Sequence, residues 1–459
     1  MVLARWLVSA AGGTLVIASG AQTAAAAPRA LVAMAVSASN ADGALADAGS
    51  DGQTIIVSAT RTPIAINDAP VTVSAKTDEE IADELATDIK DLVRFEPGVS
   101  VRRAPARFGA ALGSTGRAGN EDFTIRGIGG NRVLIQVDGV RVPMGFNFGA
   151  QSAGRGDYVD IGLVKSVEIL RGPASALYGS DGLAGAVSFT LSEPEDILQG
   201  KSIAGLVRAA YSSADEEFAE TAIIAGKSGD VSAMVSYSRR DFNELENQGT
   251  NDIQGVNRTT PNPQDGHSNA AIARIVWAPA GGHKLRVTGE YQDNALDTDL
   301  LSGRSATIDN LVARDTGKRW RVAGDWIWEG SGAIEAARIS AYWQEANDRQ
   351  FTQEDRTRLA DRTRLNTFDN RVYGVFAEAR SRFETGFLQH RLVFGGDASF
   401  TQQQGLRDGT VPPFGEFFPS RAFPTTDYTL AGLFVGDEIT IGPVTLFPAL
   451  RFDHYKLSP

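Results

Sequence analysis

Cysteine does not occur in the 459-residue chain, which excludes disulfide scaffolds, thiolate metal sites and cysteine nucleophiles together. Histidine is scarce: His267, His283, His390 and His454 are the full set of four, so a histidine-rich metal centre is not expected. Basic charge is in deficit as well. The 44 Lys and Arg stand against 56 Asp and Glu, a net charge of −12, and a general nucleic-acid binder carries the opposite balance. Gly (49) and Pro (18) make up about 15% of the chain, short of the roughly 25–30% that marks low-complexity disorder. Long apolar runs are missing with one exception, Trp6–Ser19, and about 14 residues fall short of the roughly 20 that a spanning helix needs. No Ser/His/Asp arrangement or paired-carboxylate constellation stands out, so no enzyme is expected.

The one apolar run reads as a secretory leader. Arg5 precedes it and Ala24–Ala27 follow it as small residues of a cleavage zone, so residues 1–27 are expected to form a signal peptide. Residues 28–53, rich in Ala, Gly, Ser and Asp and free of aromatic side chains, read as a flexible tether. The tether ends on Thr54-Ile55-Ile56-Val57-Ser58-Ala59-Thr60-Arg61, a β-prone island followed by Pro63. Such a segment can add as a strand to the sheet edge of another protein. Composition alone leaves open whether it does so or is the first strand of the next domain.

Residues 64–198 read as a compact α+β domain. Thr77-Asp78-Glu79-Glu80 is a capping box, and it opens a predicted helix whose apolar face is Ile81, Leu85, Ile89 and Leu92. Short strands follow at Phe123–Arg126, Arg132–Val137, Val167–Leu170 and Ala186–Thr190, with Asp138-Gly139 as a hairpin turn before Val140–Val142. Between Phe95 and Gly172, ten Arg or Lys outnumber seven Asp or Glu, which suggests a domain that docks against acidic surroundings.

From about residue 201 the pattern becomes strict alternation. Leu285, Val287 and Tyr291 oppose Lys284, Arg286, Thr288, Glu290 and Gln292; Trp320, Val322, Trp326 and Trp328 oppose Arg319, Arg321, Asp325 and Glu329. About eleven strands can be read over 201–459. Every second connection is tight, and the others, at 241–266, 294–315, 346–366 and 402–426, are long and polar. That asymmetry is the signature of an antiparallel transmembrane β-barrel rather than a soluble sandwich, and Trp277, Trp320, Trp326 and Trp343 on the outer faces fit aromatic girdles.

Leader, β-prone box, glycine-rich domain and barrel, in that order, resemble the TonB-dependent outer-membrane receptors. The residues that carry the resemblance are Thr54–Arg61, Asp91–Val101, Phe123–Gly130, Asn131–Gly139 and Val167–Val187. The plug wording is most similar to that of the heme and hemoglobin branch. The resemblance implies a plug at 64–198 inside a barrel of roughly 22 strands, of which about eleven are present at 201–459. It implies a TonB box at Thr54, Ile55, Ile56, Val57, Ser58 and Ala59 that meets the TonB–ExbB–ExbD energising complex. It implies residence in the outer membrane of a Gram-negative bacterium, among its lipids, as a monomer without nucleic-acid partners. It also implies import of an iron complex as transported ligand rather than a resident cofactor: heme, from hemoproteins, or else a ferric siderophore or other nutrient. A passive porin or adhesin barrel is the remaining alternative.

By the same resemblance, Arg126 and Arg171, in the IRG and RGP signatures, are expected to lock plug to barrel, with Glu378 and Glu438 as answering acids. Met144 and Tyr158 are candidate ligand contacts, standing in for a plug histidine that residues 64–198 lack. No FRAP or NPNL motif and no terminal aromatic strand precede Pro459, so the chain is expected to be an N-terminal portion of a longer receptor. No metal site is expected; Asp293, Asp297 and Asp299 read as a solvated acidic loop.

Overall fold

The computed structural model describes residues 61–101, 122–146 and 158–459, together with the backbone of Val2–Leu7, Met34–Val36, Ile55–Ile56, Asn147–Phe148 and Gln151–Ala153. The expected leader lies outside the described residues apart from Val2–Leu7, a strand antiparallel to Leu206–Tyr211, and the tether lies outside them apart from Met34–Val36.

The plug is built on five strands: β1 (Thr72–Thr77), β2 (Val133–Val137), β3 (Val140–Arg141), β4 (Val164–Arg171) and β5 (Gly185–Leu191). Their order across the sheet is β1-β4-β5-β2-β3, with β5 and β2 parallel and the other pairs antiparallel. All five residues of β2 are buried, which is why it reads as a nearly continuous apolar run rather than as an alternation.

The predicted helix is real at its start. Thr77 caps α1 (Asp78–Asp83) in a full capping box with Glu80. It does not continue through Leu85, which sits at a φ of 57°, and a second helix, α2 (Ile89–Leu92), begins instead. Asp88 explains the break, because its carboxylate accepts the N–H groups of Lys90 and Asp91, each at 2.8 Å. An N-cap in mid-sequence competes with helix continuation.

Twelve further strands follow: β6 (Ile203–Ser212), β7 (Glu217–Ser228), β8 (Val231–Asn243), β9 (Gln264–Trp277), β10 (His283–Asp299), β11 (Asn310–Glu329), β12 (Ile334–Asp355), β13 (Arg362–Thr385), β14 (Leu388–Gly409), β15 (Thr426–Ile441), β16 (Val444–Leu446) and β17 (Ala449–Ser458). They pair antiparallel in sequence as far as β15, which then holds both β16 and β17. The eleventh strand of the sequence reading is thus two pieces, divided at Phe447-Pro448, where proline has no N–H for the ladder. Among the described residues the sheet does not close on itself.

The burial pattern inverts that of a soluble sheet. Arg286, Thr288, Glu290 and Gln292 of β10 are buried, whereas Val287 between them is 55% exposed. Apolar side chains outward and polar ones inward is the arrangement of strands that cross lipid around a filled lumen. Trp326 and Trp320 lie six residues apart on β11, about 20 Å at roughly 3.4 Å per residue, close to the height of a lipid-facing band. Introducing Arg at Val287 is therefore expected to cost about 2–4 kcal/mol of stability in lipid. Urea titration of the receptor in bilayers measures it, and a negligible cost would place this face away from lipid.

The connections opposite the tight turns are shorter than expected, at 244–263, 300–309, 356–361 and 410–425. The strands run up into what reads as polar loop. The 24 residues of β13 extend roughly 80 Å at about 3.3 Å each, whereas a bilayer takes only about 9–11 residues of a tilted strand. Beyond the lipid both faces meet water, so apolar alternation ends while backbone pairing continues.

Candidate functional site

The hairpin turn between β2 and β3 is gripped by several side chains of the barrel wall. Asp138 and Gly139 take φ values of 51° and 79°, the two left-handed positions of a tight hairpin turn. At Gly139 a Cβ would lie 3.2 Å from Nη1 of Arg338, so the turn needs glycine on both counts. The Asp138 carboxylate accepts the Leu191 N–H at 3.1 Å through one oxygen and the Arg274 guanidinium through the other. Arg338 Nη2 donates to the Asp138 carbonyl at 2.7 Å, and Arg321 Nη1 donates to the Val137 carbonyl at 2.5 Å. Arg274 and Arg321 are 0% and 1% exposed.

The network continues along the wall. Glu290 on β10 binds Arg321 and, at 3.1 Å, Arg319, whose Nη2 also donates to the Tyr158 carbonyl at 2.7 Å. Asp325 on β11 binds Arg286 at 3.0 Å and Arg338 at 2.7 Å. From the plug, Glu193 receives Lys284 at 3.0 Å and Arg286 at 2.9 Å. Burial on its own raises the Asp138 carboxyl, but Arg274, Arg286, Arg321 and the Leu191 N–H outweigh it and hold the group well below the usual carboxylate range. Glu193 is likewise lowered, burial being outweighed by Lys284, Arg286 and Arg274.

A second attachment sits just after the β-prone box. The backbone of Ile55–Ile56 pairs antiparallel with Ile64–Ala65. Between them Arg61, only 8% exposed and at a φ of 60°, donates from Nη1 to Glu378 on β13 at 3.1 Å. Its guanidinium stands 4.3 Å from the ring centroids of Tyr178 and Phe434 and 5.3 Å from that of Phe376. Arg61→Ala is expected to cost this contact about 2–3 kcal/mol, from lost cation–π stacking and a carboxylate left without its cation. The gain in mobility of a spin label at Ser58 measures it, and Arg61→Lys, which keeps the charge but not the planar fork, restores only part.

The expected arginine–glutamate lock does not form as drawn. Arg126 is an exposed turn residue at a φ of 51°, whose N–H meets the Gly98 carbonyl at 2.8 Å. Arg171, at the end of β4, stays within the plug, donating to the Pro97 carbonyl at 2.8 Å with Glu96 at 3.8 Å. Glu438 faces Arg391 of the neighbouring strand at 3.5 Å. Of these four, among the described residues, Glu378 alone bridges from the barrel wall to the N-terminal side of the plug, and its partner is Arg61. The polarity also differs from expectation, since around the hairpin an acidic turn enters a basic wall. The signal is present in the sequence as Asp138 at a sharp turn, as Arg286 on the polar face of β10 and as Arg319 and Arg321 on that of β11. What was missing was the register that brings them together.

Tyr158 is buried and its hydroxyl donates to Asp348 at 3.0 Å, so it ties plug to β12. Met144 is half-buried and lines a small cavity with Asn131, Pro143, Tyr342, Gln344 and Tyr428. Asp293, Asp297 and Asp299 answer Lys318, Arg314 and Arg304 at 3.7, 3.8 and 2.6 Å. No group of three or more His, Asp or Glu placed to hold a metal occurs among the described residues. Of the box, Thr54, Val57, Ser58 and Ala59 lie outside the described residues.

Comparison with known proteins adds to this geometry. Residues 65–186 match the family model of the TonB-dependent receptor plug domain, and residues 226–459 match that of the TonB-dependent receptor-like β-barrel. The chain is 26% identical over 427 residues to a hemin receptor of Yersinia enterocolitica, covering 88% of the chain and 53% of the relative. Over 225 residues it is 31% identical to a hemoglobin-haptoglobin-binding protein A of Haemophilus influenzae, covering 46% of the chain and 20% of the relative. Among solved structures, the hemophore receptor of Serratia marcescens in complex with its hemophore and heme gives a TM-score of 0.62 at 19% identity, over 85% of the chain and 53% of that receptor. A ferric citrate transporter gives 0.64 at 17% identity, over 85% of the chain and 57% of the transporter. The chain spans about half the length of the hemin receptor and of both structures.

Proposed function

The chain belongs to the TonB-dependent receptors, a family of transporters rather than enzymes, and from that premise we propose that it serves the energised uptake of heme across the outer membrane of a Gram-negative bacterium. The observation that carries the ligand is the likeness to a hemin receptor over 88% of the chain, through plug and barrel alike. The two solved structures support the fold alone. In this reading the plug closes the lumen at rest, and ligand binds on the side of the long connections. The box is then taken by TonB, driven by ExbB and ExbD, as an added strand. Met144 is the plug residue we assign to the ligand-facing side, and Tyr158 acts through Asp348 to hold that side in place.

A ferric siderophore is the second reading, because residues 64–198 contain no histidine to bind heme iron from the plug. One experiment separates the two. An iron-starved strain carrying the receptor is expected to grow on hemin as sole iron source and to lose that growth when the receptor is deleted. Growth on hemin that persists after deletion, or growth rescued only by ferric siderophores, would refute the heme assignment.

A further inference from the structure

The barrel wall behind the Asp138 turn carries more positive charge than the barrel itself answers. Six cations face the plug here: Arg274, Lys284, Arg286, Arg319, Arg321 and Arg338. Among the described residues of this network the barrel supplies two carboxylates, Glu290 and Asp325, and the plug supplies the other two, Asp138 and Glu193. The group is a strip rather than a cluster. Arg319, Arg321 and Asp325 share one face of β11, and Arg286 pairs in register with Asp325. Lys284 and Arg338 both sit opposite Ile327, so the strip runs over roughly 25 Å toward the tight turn at 330–333.

With the plug seated, its two acids neutralise part of the strip. When the plug draws both acids away, six cations remain against Glu290, Asp325 and Glu378, the last opposite Arg338 in register, and several of those cations are on side chains that are buried at rest. Unpaired guanidinium groups in such a place are costly, and their planar forks suit carboxylates. We propose that this strip is a passage site for a carboxylate-bearing iron complex, and that Asp138 and Glu193 occupy at rest the positions that the ligand's carboxylates take in turn during transit. The proposal rests on the import reading above and adds the ligand's chemical class and its route.

Two variants break one contact from opposite sides and so test it in the intact receptor. Lys284→Gln/Arg286→Gln removes the cations, whereas Glu193→Gln removes the plug acid that competes for them. If the contact only holds the plug, both change the uptake of iron-labelled hemin alike. The strip instead predicts that the cation variant lowers internalisation by about tenfold with surface binding unchanged, while Glu193→Gln raises it. Hemin dimethyl ester, which has no free carboxylate, is expected to enter at the low rate through wild type and cation variant alike. Equal losses in the two variants, or ester entering as fast as hemin, overturn the proposal. A second measurement does not depend on the ligand: the current through Asp138→Asn receptor in a planar bilayer is expected to select chloride over potassium, and potassium selectivity overturns the strip. Failure to bind hemin at all would instead count against the import reading and leave the bilayer measurement to decide the strip.

Discussion

Asp138→Ala is expected to release the plug from its resting seat, weakening the docked state by about 3–5 kcal/mol. The size follows from what is left behind. Arg274 is fully buried, and among the described residues Asp138 is its one carboxylate within 4 Å; Arg321 keeps Glu290 but loses the second acid 4.0 Å away. Removing one member of a buried pair strands the other in a place from which water is excluded, so the loss exceeds the net worth of the pair. The Leu191 N–H loses its acceptor too. Calorimetric melting of the plug and entry of an antibiotic too large for an intact outer membrane both report the change. Arg126→Ala, at an exposed turn, is expected to change either by less than about 0.5 kcal/mol. A larger effect at Arg126 or Arg171 than at Asp138 would overturn this assignment of the lock.

Acid does not unlock it in the ordinary range. A carboxyl whose value in the folded state is lowered contributes stability that is fully present above its unfolded value, near 3.9 for Asp, and is lost only as pH falls through the lowered folded value. Asp138 and Glu193 are both lowered. The contribution of these two acids to plug docking is therefore expected to be flat from neutral pH down to about 5, and a loss of the Asp138 contact with a midpoint near pH 6 would mean that some other group controls it. Mechanical force, rather than protonation, is the means of release consistent with these two acids.

The architecture was legible because period-two alternation and tight turns are local signals. Gly226-Lys227-Ser228-Gly229-Asp230 and Gly442-Pro443 can be recognised without knowing what lies across the sheet, and strands begin directly after them, at Val231 and Val444. The helix at Thr77 was legible for the same reason, and its early end was not, because Asp88 competes through one side chain inside an otherwise helical pattern. The lock is not legible locally for a different reason. Arg126 and Arg171 were assigned from signature words, but β4 delivers Arg171 beside Glu96 and Pro97, within its own domain. Which groups of the turn meet which arginine depends on residues 130 to 200 positions apart, such as the Asp138 carboxylate with Arg274 and the Asp138 carbonyl with Arg338. No window of sequence holds that information. The charge count over Phe95–Gly172 averaged over a domain: Arg141 of the plug does meet an acid of the barrel, Asp397, at 3.6 Å, whereas at Asp138 one buried turn reverses the sign of the contact.

Deleting Thr54–Ser58 is expected to abolish uptake while leaving ligand binding at the cell surface intact. Strand addition uses backbone groups, so Ile56→Pro, which removes one N–H and restricts the residue before it, is expected to act nearly as strongly as the deletion, whereas Val57→Ile is tolerated. The geometry downstream of the box explains why a pull there reaches the plug. Among the described residues Arg61 is the first buried attachment, and beyond it Ile64 packs with Val73 of β1. β1 is the edge strand of the plug sheet, paired only with β4, from Thr72 opposite Arg171 to Thr77 opposite Ser166. Tension from the N-terminal side loads these pairs one after another, and peeling in series needs far less force than shearing the whole sheet at once. Asp138 sits on the far side of β5, on the hairpin that β1 does not touch, so peeling β1 alone leaves the seat of the turn closed. Uptake by the Thr54–Ser58 deletion should therefore stay absent even when Asp138→Ala has loosened that seat, provided that the ligand is too large to leak through. Energy-dependent uptake that survives the deletion would refute the coupling role of the box.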